Sequence, residues 1–103
     1  MTEAEFQHAV LQAAQLYGWT VGHFRPARTA KGWRTPMAGQ PGFPDVTLAR
    51  DGVVMLRELK TNTGRVSTQQ RQWLAALGPH GRVWRPRDWE SVIIPELKEG
   101  PQP

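Results

Sequence analysis

The stretch Gly42-Phe43-Pro44-Asp45-Val46-Thr47-Leu48-Ala49-Arg50-Asp51-Gly52-Val53-Val54-Met55-Leu56-Arg57-Glu58-Leu59-Lys60 decides the fold. It holds two strand-like runs, Val46 to Arg50 and Val53 to Leu59, separated by Asp51-Gly52. Asp-Gly between apolar, β-branched runs is a strong signal for a two-residue hairpin turn. With those two residues in the turn, Arg50 faces Val53, and each step back along one strand matches a step forward along the other. Asp45 then falls directly opposite Glu58. Opposed residues have Cβ atoms about 4.5 to 5.5 Å apart and project to the same face. Lys60 lies two residues beyond Glu58 and points to that face as well.

Two like charges directly opposite each other on a sheet destabilise it, and a cation would reverse the sign. Oxygen ligands with open positions suit Mg²⁺ or Mn²⁺, which keep several waters and bind through one or two carboxylates plus substrate phosphate. A phosphodiester is then the natural substrate. The ion would polarise a phosphoryl oxygen and lower the pKa of an attacking water, while Lys60 would orient that water or neutralise developing charge. The competing reading is a pair splayed by a bulge, with Glu58 and Lys60 as ordinary surface charges.

Outward from the hairpin, residues 3 to 17 read as a helix, because Phe6, Val10, Ala13, Ala14 and Tyr17 recur at helical spacing and Gly18 supplies a stop. Thr2 is its N-cap. Residues 19 to 25 have the aromatic and β-branched content of a strand, and Pro26 to Gly42 reads as a long loop without periodicity. Ser67 to Leu77 is a second helix, with Ser67 as N-cap, an apolar stripe of Trp73, Leu74 and Leu77, and Gly78-Pro79 ending it. Arg82 to Arg85 is one more strand, and Trp89 to Leu97 is an apolar segment of ambiguous type. The order helix, strand, hairpin, helix, strand defines an α/β class, a central mixed sheet flanked by helices.

A chain of 103 residues suits one domain, here residues 1–97 followed by a flexible tail over 98–103. A hydrophobic content of 39% with five tryptophans is enough to fold without staples. The absence of cysteine removes disulfides, iron-sulfur clusters and thiolate zinc sites, and is compatible with a reducing cytoplasm. No apolar run approaches the roughly 20 residues of a membrane helix, and the N-terminus lacks the build of a signal peptide. The expected protein is soluble and cytoplasmic. Its net charge of +4 is unevenly distributed. Acids are absent from Thr20 to Pro44, which carries Arg25, Arg28, Lys31 and Arg34, and from Leu59 to Arg87, which carries Lys60, Arg65, Arg71, Arg82, Arg85 and Arg87. Such segments suit a phosphate backbone, and equally a solvated basic surface.

Gly42-Phe43-Pro44-Asp45 followed by Glu58-Leu59-Lys60 is similar to the signature of the PD-(D/E)xK nuclease superfamily. Continued as Gly64-Arg65-Val66-Ser67, Gln70 and Trp73-Leu74, the run resembles the VRR-NUC family, over most of the chain from the first helix to Trp84-Arg85-Pro86. The resemblance implies a restriction-endonuclease-like αβββαβ core and hydrolysis of DNA phosphodiesters with Mg²⁺ or Mn²⁺. The metal ligands it implies are Asp45, Glu58, the backbone carbonyl of Leu59, and a glutamate of the first helix. Stand-alone members, often phage-encoded, look like dimeric structure-specific nucleases related to Holliday-junction resolvases. A homodimer acting on branched DNA is therefore expected, in the host cell cytoplasm if phage-encoded. The rival from another class is a DNA-binding module that keeps the fold without turnover.

Both Glu3 and Glu5 are available in the first helix. At about 100° per residue, Glu3 falls inside the stripe of Phe6, Val10, Ala14 and Tyr17, whereas Glu5 falls on the far side and fits a capping box with Thr2. Glu3 is the expected inward acid, with Gln7 beside it. Gln70 fits a capping box with Ser67, and the resemblance makes it an active-site neighbour that contacts the attacking water or Lys60. His23 reads either as a phosphate or metal contact or as a structural strand histidine. Trp73 is core by its spacing, and Trp33, beside Arg34 in the basic loop, is the tryptophan placed to touch nucleic acid. The expected phosphate contacts are Arg25, Arg28, Lys31, Arg34 and Arg65.

Overall fold

The fold is that of a computed structural model, which describes residues 1–24, 27–29, 32–34 and 38–101, the side chains of 27–29 and 32–34 excepted. The hairpin forms in the register that the turn dictates. Strands β4 (Val46–Arg50) and β5 (Val53–Leu59) pair antiparallel from Arg50↔Val53 to Val46↔Arg57. Asp51 and Gly52 both have positive φ, 51° and 80°, the conformation that a type I′ turn requires and that Asp-Gly tolerates.

Helix α1 (Glu3–Leu16) precedes β1 (Thr20–His23), which pairs antiparallel with β4. The segment from Pro26 to Gly42 is not structureless throughout. Its strands Ala27–Thr29 (β2) and Gly32–Arg34 (β3) form a separate antiparallel pair. Backbone pairing over three residues needs no alternating apolar pattern, so periodicity does not reveal it. Helix α2 (Thr68–Leu77) then carries the chain from β5 to β6 (Gly81–Trp84), which pairs parallel with β5. Parallel neighbours need such a crossover. The result is a mixed α/β fold with a four-stranded sheet in the order β1-β4-β5-β6.

Alternation along the strands sorts the side chains by face. Val46 and Leu48 of β4, Met55 and Leu59 of β5 and Trp84 of β6 are buried together with Phe6, Val10 and Ala14 of α1. Ile93 and Leu97 complete this core, and they belong to the segment whose type the sequence leaves ambiguous. A wide turn over Trp89–Ile93 leads there into helix α3 (Ile94–Glu99). The Ile94 N–H donates to the Trp89 carbonyl, five residues back, immediately before Pro95, which has no N–H to give. Proline is tolerated in the first turn of a helix, where that donor needs no partner. Helix α3 continues through Lys98 and Glu99, past the boundary expected at residue 97, and Gly100 is buried. Arg50 holds this end by donating to the carbonyls of Tyr17, Leu97 and Lys98, and the Trp19 indole N–H also donates to Leu97.

A charged cluster sits in the same core. Arg57 is 0% and Glu96 1% exposed, and their Nη2 and Oε2 atoms are 3.0 Å apart. The Trp84 indole donates to Glu96 Oε1 at 2.7 Å, and Arg57 Nη1 donates to the carbonyls of Leu56 and His80. Burial pushes the Arg57 guanidinium down from its ordinary pKa, and Glu96 opposes that shift. Removing one partner of a buried pair leaves an uncompensated charge, at a cost of about 3–5 kcal/mol. Glu96→Ala is therefore expected to lower the unfolding free energy by about that amount in urea titration, and Arg57→Met in the same chain to recover part of it. A midpoint unmoved by Glu96→Ala would contradict this account.

Candidate active site

At the open end of the hairpin the strands separate just where the two acids stand. Regular pairing stops at Val46↔Arg57, and Asp45 and Glu58 are the next residues out. Asp45 turns its side chain onto the neighbouring strand, where Oδ2 accepts the Leu59 N–H at 3.0 Å, and its own carbonyl accepts the Phe24 N–H. Glu58 is only 2% exposed. Its Oε1 accepts from Gln70 Nε2 at 2.8 Å and lies 3.7 Å from Lys60 Nζ. Its Oε2 is buried and meets no hydrogen-bond donor among the described residues, so only a protonated Glu58 can share a proton with Asp45.

Burial, followed by the charge of Asp45 and a hydrogen bond to it, raises the Glu58 pKa from 4.5 to about 8, against the opposing pull of Lys60. The protein thus holds a carboxyl group that ionises reluctantly beside another acid. An unpartnered buried oxygen next to a second carboxylate fits a hard divalent cation, which takes oxygen ligands and fills its other positions with water or phosphate. The Leu59 carbonyl belongs to the residue whose N–H binds Asp45, so the backbone runs beside the same carboxylate. Among the described residues, no third His, Asp or Glu joins this pair in a group able to hold a metal. Glu3 is exposed and lines, with Asp45, Gln7, His8, His23 and Phe24, a cleft of about 830 Å³ next to the pair.

Glu5 takes the other role that the helix geometry offers. It forms the capping box with Thr2, and those hydrogen bonds hold its carboxyl below the ordinary value. Gln70 performs both of its candidate roles at once. Its Oε1 accepts the Ser67 N–H while its Nε2 binds Glu58, so the cap of α2 fixes the amide that grips the acid. His23 lines the cleft and has a buried Nδ1 with no hydrogen-bond partner among the described residues. Arg65 is exposed beyond Lys60. Arg25, Arg28, Lys31, Arg34 and Trp33 lie outside the residues whose side chains are described.

The segment before Asp45 has a mechanical logic that spacing alone does not reveal. Gly42 has φ 97°, and a Cβ there would come within 2.6 Å of the Gln69 backbone, so only glycine lets the start of α2 approach this closely. Phe43 stands edge-on to both Phe24 and Trp73, and Pro44 is fully buried. Trp73 is not core as its spacing suggests. It is half-buried, and its indole N–H donates to the Gln40 carbonyl at 3.1 Å. On the far side, Arg85 Nη1 donates to the carbonyls of Thr61 and Gly64 at 2.6 and 2.7 Å, closing the turn that follows Lys60. The acid-free run that contains Arg85 is visible in the sequence, but its carbonyl partners are not.

No protein-family model matches the chain, and no curated protein is significantly similar to it.

Glu58 makes stability depend on pH in a stated direction. A carboxyl whose folded-state pKa is raised contributes stability fully present below its unfolded value, about 4.5, and lost as pH rises through about 8. Metal-free wild type should lose thermal stability relative to Glu58→Gln across that window, because the amide stays neutral and still accepts from Gln70. Parallel melting temperatures for the two proteins from pH 5 to 9 would contradict the raised pKa.

Proposed function

We propose that this protein is a divalent-metal-dependent DNA endonuclease of the VRR-NUC type, built on a restriction-endonuclease-like core. The observation that carries the reading is the unpartnered, buried Oε2 of Glu58 beside Asp45, with Lys60 on the same strand. Asp45, Glu58 and the Leu59 carbonyl would hold Mg²⁺ or Mn²⁺. When bound, that ion supplies the positive charge that polarises a phosphoryl oxygen and acidifies a water. Lys60 orients the attacking water and offsets charge that develops on the phosphate. Gln70 keeps one Glu58 oxygen occupied, which leaves the other turned toward the site. The cleft beside Asp45 receives the sugar-phosphate of the cut strand, with Glu3 and His23 on its wall. Water adds to phosphorus, the bond to the leaving deoxyribose oxygen breaks, and that oxygen takes up a proton, so that the products carry a phosphate and a hydroxyl.

Branched DNA such as a Holliday junction is the proposed substrate, and the proposed assembly is a homodimer in the cytoplasm. Cutting two symmetric strands calls for two sites related by a twofold axis. No helix among the described residues is long and apolar enough to cross a membrane. A second reading, a non-catalytic DNA-binding module, is favoured by one feature: Glu3 is exposed, and among the described residues it forms no metal-holding group with the paired acids.

Cleavage of labelled four-way junction, flap, single-stranded and duplex DNA with Mg²⁺, Mn²⁺ or EDTA separates the two readings. Metal-dependent cutting is expected, reduced at least about a hundredfold by Asp45→Ala or Lys60→Ala with DNA binding retained. Tight binding without cutting under every condition would establish the second reading instead. Light scattering should return a dimer mass, and a monomer mass with cleavage intact would remove the twofold arrangement.

A further inference from the structure

A groove of about 510 Å³, sharing no lining residue with the Asp45 cleft, lies between the turn that follows β5, helix α2 and strand β6. Arg65, Arg71 and Arg85 line it above a floor of Val66, Leu74 and Val83, and no carboxylate takes part. The three arginines differ in how they are held. Arg85 is fixed by its bonds to Thr61 and Gly64. The side chains of Arg65 and Arg71 are exposed, with no hydrogen bond or ion pair among the described residues. The groove therefore presents two free guanidinium groups beside a third that is held rigidly.

Its position relative to the acids follows from the sheet. Val83 is the register partner of Glu58 across the β5–β6 pair, so one residue of the groove floor is the next-strand neighbour of Glu58, with backbones about 4.8 Å apart. Successive phosphates of one strand in a duplex advance by about 3.4 Å along the axis. A strand with one phosphate at Glu58 and Lys60 would therefore bring its neighbours across the turn into this groove. The lining matches that ligand better than it matches a small free anion. Guanidinium groups pair with phosphate oxygens in a fork geometry, and an apolar floor offers contact to deoxyribose, which an inorganic ion lacks.

We infer that Arg65 and Arg71, set by the fixed Arg85, form a second phosphate-binding track that holds the uncut stretch of the same DNA strand adjoining the site of cleavage. The inference rests on the nuclease reading for its substrate, but its test needs no turnover. Arg85 is left unaltered in that test because it also holds the turn behind Lys60.

The experiment measures DNA binding by wild type, the double variant Arg65→Ala/Arg71→Ala, its Lys/Lys counterpart, and Lys98→Ala, in EDTA over a range of salt concentrations. Lys98 is exposed on α3 and does not line the groove, so its variant controls for the loss of a surface charge outside the groove. Each phosphate contact contributes about 0.9 to the slope of log K against log salt on duplex and about 0.7 on single strands. The Ala/Ala variant should therefore lose about 1.4 to 1.8 from the wild-type slope, with the Lys/Lys variant close to wild type and all melting temperatures unchanged. An equal change in Lys98→Ala and Ala/Ala, no change in either, or no DNA binding by wild type would overturn the track. Wild type that binds with the expected slopes but never cuts would leave the track standing and remove the nuclease reading. Cutting by wild type with an unchanged Ala/Ala slope would do the reverse.

Discussion

One buried carboxyl group set against a second acid at the open end of one hairpin, Glu58 beside Asp45, is the constraint around which the rest of this structure is arranged. Neither burial nor like charge favours the ionised form, and together they raise Glu58 far above an ordinary glutamate. The surrounding groups answer one oxygen of Glu58 and leave the other open. Gln70 and Lys60 meet Oε1, the Leu59 N–H draws Asp45 onto the sheet, and Oε2 has no donor.

The same strand carries a second charge problem and resolves it differently. Arg57, adjacent to Glu58 in sequence, must point to the opposite face and is buried among apolar side chains. There it finds Glu96, two backbone carbonyls and the face of Trp84. Arg57 Nε is buried without a hydrogen-bond partner among the described residues, yet the charge of the guanidinium is answered by Glu96, whereas Glu58 faces a second acid. Alternation along β5 thus separates an ion pair of opposite charges from a pair of like charges, although the two are a single residue apart.

Precision at the site comes from elements that contribute no chemistry. Gly42 allows the first turn of α2 to touch the segment that leads into Asp45, and Phe43 is held edge-on between Phe24 and Trp73. The cap of α2 then fixes the amide of Gln70 against Glu58. Arg85 closes the turn behind Lys60 from the next strand. Contacts from α2 and β6 therefore hold the segments that carry the carboxylates and the lysine. Side chains locked in this way lose little further freedom when a substrate binds, which is what preorganisation of a site requires.

Local chemistry was enough to read much of this in the sequence. Asp51-Gly52 determines its own turn, the turn determines the register, and the register brings Asp45, Glu58 and Lys60 together. Helix α1 and its cap, and the capped start of α2, follow from spacing and side-chain type in the same way, because each depends on neighbours within one turn. Other features depend on residues far apart in the chain and were decided only by the tertiary structure. The Arg57–Glu96 cluster joins β5 to α3, Arg50 fastens the C-terminal helix to the end of α1, and Trp73 leaves the core to hold the Gln40 carbonyl. The brief β2–β3 pair and the wide turn before Pro95 were likewise hidden, since backbone hydrogen bonds without a hydrophobic pattern leave no trace in residue order. Glu3 shows the boundary between the two kinds of information. Helical periodicity puts it on the inward stripe of α1, yet it is exposed, because what covers the first turn depends on how that helix packs on the sheet, a relation that no local rule contains.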